Sequence, residues 1–538
     1  MLDKATFGQA GESLKTVKKL QKRATSEAVT AALRLELVER AGALEGGRIV
    51  IPFPFLELFL FGQCGCQIFC AALVMSFKLA LLLCSIVMAT AITQRPFHTQ
   101  ASKMRLGLQQ QQSSDPSNVT RWFNSQLLDH FDAQITSVWS QRYFVNETFF
   151  DGHGPVFLCV GGEGPWFDPD VVISGSVHCA DMILLAERVG ALVLAIEHRY
   201  YGPPGSLPVP DFSTPNMRWL SSHQALADIS RFHSFISEEF KLGPRNKWVT
   251  WGGSYPGMMA AFSRLKYPTL IHASVSSSAP VQAQYIFQGY NDVVAASMAN
   301  SDVGGSLLCH DAIQSAFSAL GKMFSAKDQR PAIEAMFNVC TKGSLADDAN
   351  CGSLSNTLSE IFPAQSNDPL CDPRSNPVCN IDLICKDMTN ASLGNPLQRL
   401  ARVTANAFFG SCVDANATAD VQGLVNTTIL GGSDRTWFYQ TCTEFGFYQT
   451  CDPGSNCIFT TNPHYNNIDS YQSQCMLAFS INSSLTQAAV LESNNYYGGW
   501  QPQGSRIIFV NGVIDPWRAL SIQKSLPTFP ALLVAGAR

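Results

Sequence analysis

Short, uniformly apolar runs recur between residues 155 and 278, and each is separated from the next by a stretch with helical spacing. PVFLCV (155–160) leads into the loop GGEGPW, ADMILLAERVG (180–190) repeats apolar residues at helical intervals, and ALVLAI (191–196) is apolar throughout. A longer helical stretch over 221–240 follows, then NKWVTW, GGSYPG and the strand-like HASVSSS (272–278). Strands buried on both faces lose their polar alternation, and intervening helices let successive strands run parallel. The pattern predicts an α/β fold with an open sheet. It stops near residue 285 and resumes only at RIIFVNG (506–512) and ALLVAG (531–536).

The segment between holds eleven cysteines from Cys309 to Cys475, with no paired CxxC units and almost no nearby histidine. That spacing reads as a disulfide framework rather than a zinc site, and no metal or other cofactor is implied. Its apolar periodicity is helical, as in SAFSALGKMF and AIEAMFNVC. We expect one sheet domain in two parts, 92–284 and 501–538, interrupted by a disulfide-rich helical cap over 285–500. Insertions of this kind leave the carboxyl edge of a sheet and can return over the active site.

Sequons begin at Asn118, Asn146, Asn390, Asn416, Asn426 and Asn482. With the cysteines they favour the secretory pathway, and a secreted or lysosomal/vacuolar glycoprotein. Met75 opens MSFKLALLLCSIVMATAITQ, which has a short basic start, an apolar run and small residues at Ala89 and Ala91. That layout predicts a cleaved signal peptide over 75–91, with 1–74 an over-extended gene model. A signal anchor is the rival, although Gln63, Gln67 and Lys78 interrupt the apolar stretch. No later segment has the length and apolarity of a membrane span. After residue 91 the chain carries 27 Lys/Arg against 35 Asp/Glu, with no basic run, which argues against nucleic-acid binding. Oligomeric state is open, a homodimer included.

Three motifs carry the chemistry. Ser254 lies in Trp251-Gly-Gly-Ser-Tyr-Pro-Gly257, between a β-rich stretch and a helical one. A serine on such a turn is a nucleophile elbow, whose neighbours must be small where the backbone is strained. The motif departs from strict G-x-S-x-G, because Pro256 takes the second glycine's place. Gly161-Gly-Glu-Gly follows a strand, where this architecture keeps a loop donating one oxyanion N–H, here from Gly162. The other donor would be the backbone N–H of Tyr255. Asp515, in NGVIDPW directly after RIIFV, stands where the acid of a Ser-Asp-His order belongs.

With these motifs on the page, the sequence resembles the prolyl-specific serine peptidases that include lysosomal Pro-X carboxypeptidase, dipeptidyl peptidase II and thymus-specific serine protease, most of all the thymus-specific branch. The resemblance covers about residues 120 to 538 and rests on WFN…LDHF, GGEGPW, EHRYYG (197–202), LSSHQALADISRF (220–232), GGSYPGMMAAFSRLKYP, WFYQTCTEFGFYQT (437–450) and NGVIDPW. It implies an α/β-hydrolase fold and a serine exopeptidase cutting on the carboxyl side of proline, with peptides as partners. It further implies that Met258 and Trp517 line an apolar S1 slot suited to a proline ring, and that Glu163 binds the free end of the peptide. Whether dipeptides leave the N-terminus or single residues leave the C-terminus is open.

All ten histidines precede Asp515, so the expected order leaves the base unfilled. His198 follows an early strand and reads as structural. We expect the sequence to be truncated before the catalytic histidine and inactive as it stands. Two other functions fit the same motifs: a lipase or esterase, which shares the elbow, and a catalytically dead secreted binding protein.

Overall fold

A computed structural model describes residues 119–537, apart from 174–178, 364, 430–433, 453 and 460–466. The expected extension 1–74, the signal segment 75–91 and the Asn118 sequon lie outside the described residues.

Eight strands form the main sheet: β1 (Thr120–Leu127), β2 (Val138–Asn146), β3 (Val156–Val160), β4 (Leu192–Ile196), β5 (Trp248–Gly253), β6 (Ile271–Ser277), β9 (Ile507–Gly512) and β10 (Ala531–Val534). Their spatial order is β1-β2-β4-β3-β5-β6-β9-β10. The strand β2 pairs antiparallel with β1 and β4, and every pairing from β4 to β10 is parallel. The apolar runs are the interior strands, and every residue of β3 and β4 is buried. The sequence reading began its strands at residue 155 and missed β1 and β2. They lie toward one edge, and β1 buries little beyond Phe123 and Gln126, so its apolar signal is thin.

The helix Ser222–Glu239 starts where the Ser221 side chain accepts from Gln224 N, an N-cap that fills an otherwise unpaired helix donor. Ala225, Ile229, Phe232 and Ile236 repeat at helical spacing and pack on the sheet. Phe123 stacks on Phe235 at 4.5 Å between ring centroids, which seats β1 against this helix. A bridge from Cys159 to Cys179 ties β3 to the helix Ala180–Val189 on the other face.

After β6 the chain enters a short parallel pair, β7 (Gln284–Ile286) with β8 (Gly446–Tyr448), and a run of helices. These helices share an apolar core of their own, including Ile313, Phe317, Leu320, Leu354, Leu400 and Val403. Cys309–Cys385, Cys340–Cys412, Cys371–Cys379, Cys442–Cys475 and Cys451–Cys457 are bridged within it. Cys351, fully buried with its Sγ 3.4 Å from the Leu345 carbonyl oxygen, stands outside these bridges. AIEAMFNVC departs from its helical periodicity: the helix ends at Met336, Asn338 takes a φ of +49°, and Val339 forms a bridge with Val413. The Cys340–Cys412 bond anchors that turn.

The sequon asparagines differ in exposure. Asn146 is only 9% exposed and its Nδ2, the atom a glycan would need, donates to the Val172 carbonyl at 2.7 Å. Asn390, Asn416, Asn426 and Asn482 are exposed.

Candidate active site

The nucleophile candidate stands at the junction of β5 and the helix Tyr255–Lys266. Ser254 has φ +62° and ψ −132°, a conformation that costs a non-glycine residue free energy and persists only when its surroundings enforce it. They do. Ser254 N donates to Ser277 O at 2.9 Å, and Met258 N to Ser254 O at 3.0 Å. A Cβ on Gly252 would lie 2.2 Å from Pro256 O, and one on Gly257 would lie 2.7 Å from Ser277 O.

Pro256 explains its own departure from the pattern. It is the second residue of the helix, where a missing N–H leaves no helical bond unmade. Its ring packs toward the glycine loop, and a Cβ on Gly162 would lie 2.2 Å from Pro256 Cγ. The demand for a glycine is thus met across the cleft, at Gly162, rather than beside the serine.

Asp515 follows β9 and is 2% exposed. Its Oδ1 accepts from Trp517 N at 3.0 Å, while Oδ2 is buried without a hydrogen-bond partner. Burial pushes its pKa up to about 6, against the pull of the Ser278 hydroxyl, the Trp517 N–H and the Arg518 charge. Ser277 and Ser278 lie beside the two candidates: Ser277 O takes the N–H of Ser254, and the Ser278 hydroxyl is among the groups that pull the Asp515 pKa down. Ser278 itself has φ +47° and donates its N–H to Val510 O at 2.7 Å. The sequence reading passed over Ser278, whose only signal was the run of serines ending HASVSSS.

Glu163 is 4% exposed, and neither carboxylate oxygen has a well-formed hydrogen bond. Burial raises its pKa well above the usual carboxylate range, against the pull of its own N–H and that of Tyr255. Met258 and Trp517 are 1% and 3% exposed in the sheet's apolar core. Trp517 is ringed by Phe287, Tyr290 and Phe447, with centroids 5.4–5.6 Å away. His198 is committed elsewhere. Its Nδ1 meets Arg199 O at 2.7 Å and its Nε2 meets the Tyr255 hydroxyl at 3.0 Å, while burial lowers its pKa to about 4. The rest of EHRYYG is also structural. Arg199, fully buried, holds Asp228 through two bonds of 2.7 Å and donates to the carbonyls of Leu127, Leu128 and Trp219.

Strand order and elbow together define the molecule as an α/β-hydrolase. Residues 126–537 match the family described as Serine carboxypeptidase S28, and the chain belongs to that family. It is accordingly a serine peptidase, a hydrolase of peptides. Human thymus-specific serine protease is 35% identical over 422 residues, covering 76% of this chain and 78% of its own. A putative serine protease of Caenorhabditis elegans is 33% identical, covering 75% and 79%. Lysosomal Pro-X carboxypeptidase from Bos taurus is more distant, at 26% identity over 74% and 77%. Among the described residues no helix is long and apolar enough to cross a membrane, and the six disulfides are compatible with a secretory-pathway lumen.

Proposed function

We propose that the protein is a serine exopeptidase hydrolysing peptide bonds on the carboxyl side of proline in a secretory or lysosomal compartment, with Ser254 as nucleophile and Asp515 as the acid of its triad. The observation that carries this reading is the pair of constraints at one sheet edge: Ser254 held at positive φ, and a buried Asp515 with one oxygen unpaired. In the proposed reaction Ser254 Oγ attacks the scissile carbonyl carbon and its proton passes to the base. The N–H groups of Tyr255 and Gly162 receive the oxyanion, and the base then protonates the departing amine. Water repeats the sequence to release the acyl group and restore Ser254. An imidazole donating to Asp515 Oδ2 would be held in the tautomer this requires. No histidine of the sequence follows Asp515, so the base is left unassigned, and without one turnover should not reach an enzyme-like rate.

Met258 and the Trp517 cluster supply apolar surface for a proline ring, which offers no charge to grip. Glu163 would bind the free end of the peptide. A carboxylate there suits an α-amino group, and peptides blocked at one end or the other would reveal which terminus is read. The test uses the purified protein on chromogenic peptides with proline or alanine at P1. Ser254→Ala should lower kcat by about 10⁴-fold or more. Proline-directed cleavage surviving in that variant would refute the nucleophile assignment.

A further inference from the structure

Tyr255 carries the N–H assigned to the oxyanion, and its phenol reaches away from that N–H into a buried polar chain. The ring is fully buried, between Trp437 and Phe445 at 5.5 and 5.7 Å and near His198 at 5.4 Å. Arg199 O can only accept, so His198 Nδ1 carries the proton there and Nε2 is left to accept. The Tyr255 hydroxyl therefore donates to His198 Nε2 at 3.0 Å and takes a donor of its own: Gln440 Nε2, also at 3.0 Å.

Gln440 comes from the helical insertion, at the end of the helix Asp434–Gln440 and just before a π-helical turn at Thr441–Phe445. Its Oε1 accepts from Tyr201 OH at 2.5 Å, and its Nε2 also donates to Glu444 Oε2 at 3.0 Å. Glu444 Oε1 in turn accepts from Ser222 N at 2.8 Å and Ser222 Oγ at 2.6 Å, and Tyr497 OH meets that Oγ at 2.7 Å. One amide thus serves two phenols and a carboxylate, all buried. A carboxylate in its place would stand against Glu444 at hydrogen-bond distance, and an apolar side chain would take a partner from each of Tyr201 OH, Tyr255 Oη and Glu444 Oε2. Motifs far apart in sequence (EHRYYG, LSSHQAL, GGSYPG and WFYQTCTEFG) converge on this chain.

We propose that Gln440 is a positioning residue for the oxyanion site: by bonding the Tyr255 phenol it fixes the first turn of the helix that presents the Tyr255 N–H. The helical insertion would then shape the transition-state site as well as cover it. This rests on the assignment of Ser254 and Tyr255 above. A donor displaced from where the oxyanion forms loses part of the 10²- to 10³-fold that a lost donor costs, so an effect of about tenfold is expected.

Four variants test it: Gln440→Met, Tyr255→Phe, the double variant and Ser254→Ala, each assayed for kcat and KM on the same proline peptide and checked by thermal melting. Gln440→Met and Tyr255→Phe should each lower kcat about tenfold with KM changed less than twofold. The double variant should fall by less than the product of the two single losses, because the Gln440–Tyr255 bond is lost in both. Additive losses, or a raised KM at unchanged kcat, would overturn the proposal. If Gln440→Met does not fold, Tyr255→Phe alone must still lower kcat at constant KM, or the proposal fails. Ser254→Ala separates the two levels: an active Ser254→Ala refutes the underlying assignment, whereas a dead one beside an unaffected Gln440→Met refutes only the positioning role.

Discussion

The sheet and the helical insertion are stabilised in opposite ways. The sheet is held by parallel ladders spanning much of the chain, by close packing, and by a fully buried guanidinium–carboxylate pair at Arg199 and Asp228, with one bridge at Cys159–Cys179. Its buried polar atoms without hydrogen-bond partners include those of Glu163, Asp515 Oδ2 and Trp517 Nε1 at the candidate site. The insertion has an apolar core of its own beside the buried polar chain at Gln440 and Glu444, and five of the six bridges. Several of its helices have only 7 to 12 residues, too short to hold on their own. Cross-links compensate for that shortness. The lesson is that the sheet can hold unpaired buried polar atoms within its ladders, while the insertion, which carries no catalytic candidate, relies on covalent ties.

That contrast can be broken at its two strongest points. Arg199→Met should be the more damaging change. It leaves Asp228 buried with only His130 Nε2, 2.8 Å away, and strips three carbonyls of a donor. Breaking a buried pair from one side costs about 3–5 kcal/mol, and urea denaturation should show the loss in the sheet's cooperative unfolding. Replacing Cys309 and Cys385 by serine reopens a loop with a sequence separation of 76 residues. The chain-entropy estimate is about 4 kcal/mol. Hydrogen exchange should place this second loss in the insertion, with the sheet amides still protected. Uniform loss across both regions would show that the two are a single cooperative unit.

A smaller effect of opposite sign tests whether the site is destabilising. Folding raises the pKa of Asp515 from 3.8 to about 6 because burial disfavours its charge. The stability associated with this carboxyl is therefore full below its unfolded pKa and is lost as pH rises through about 6. Asparagine does not titrate and can still accept from Trp517 N. In the chain of residues 1–538, Asp515→Asn should gain on the parent by on the order of 2–3 kcal/mol at pH 8, with the difference closing below about pH 4. Melting temperatures across that range measure it, and a difference independent of pH would mean the carboxyl is not desolvated.

Much of the site was legible because its demands are local. Glycines around a strained serine, a proline early in a helix and an acid directly after a strand each leave a mark within a few residues. What was not legible depended on residues distant in sequence. Asn146 satisfies a three-residue sequon, yet its amide is used by Val172 on a neighbouring segment. Pro256 looked like an exception until Gly162, across the cleft, proved to be where its ring fits. Gln440 lay in a recognised motif with no role attached, since its meaning appears only when Tyr201, Tyr255 and Glu444 surround it.

By itself, then, the sequence determined the alternation of buried strands and helices, the place where the sheet is interrupted, and the strand-to-helix turn that carries Ser254. These follow from side-chain periodicity and backbone sterics, which act over a few residues. Only the tertiary structure decided which strands are neighbours, which cysteines pair, and that Gln440 of the insertion bonds the Tyr255 phenol. Those outcomes turn on burial, and burial is a property of the packed whole: a polar group removed from water must find its partner wherever the fold brings one.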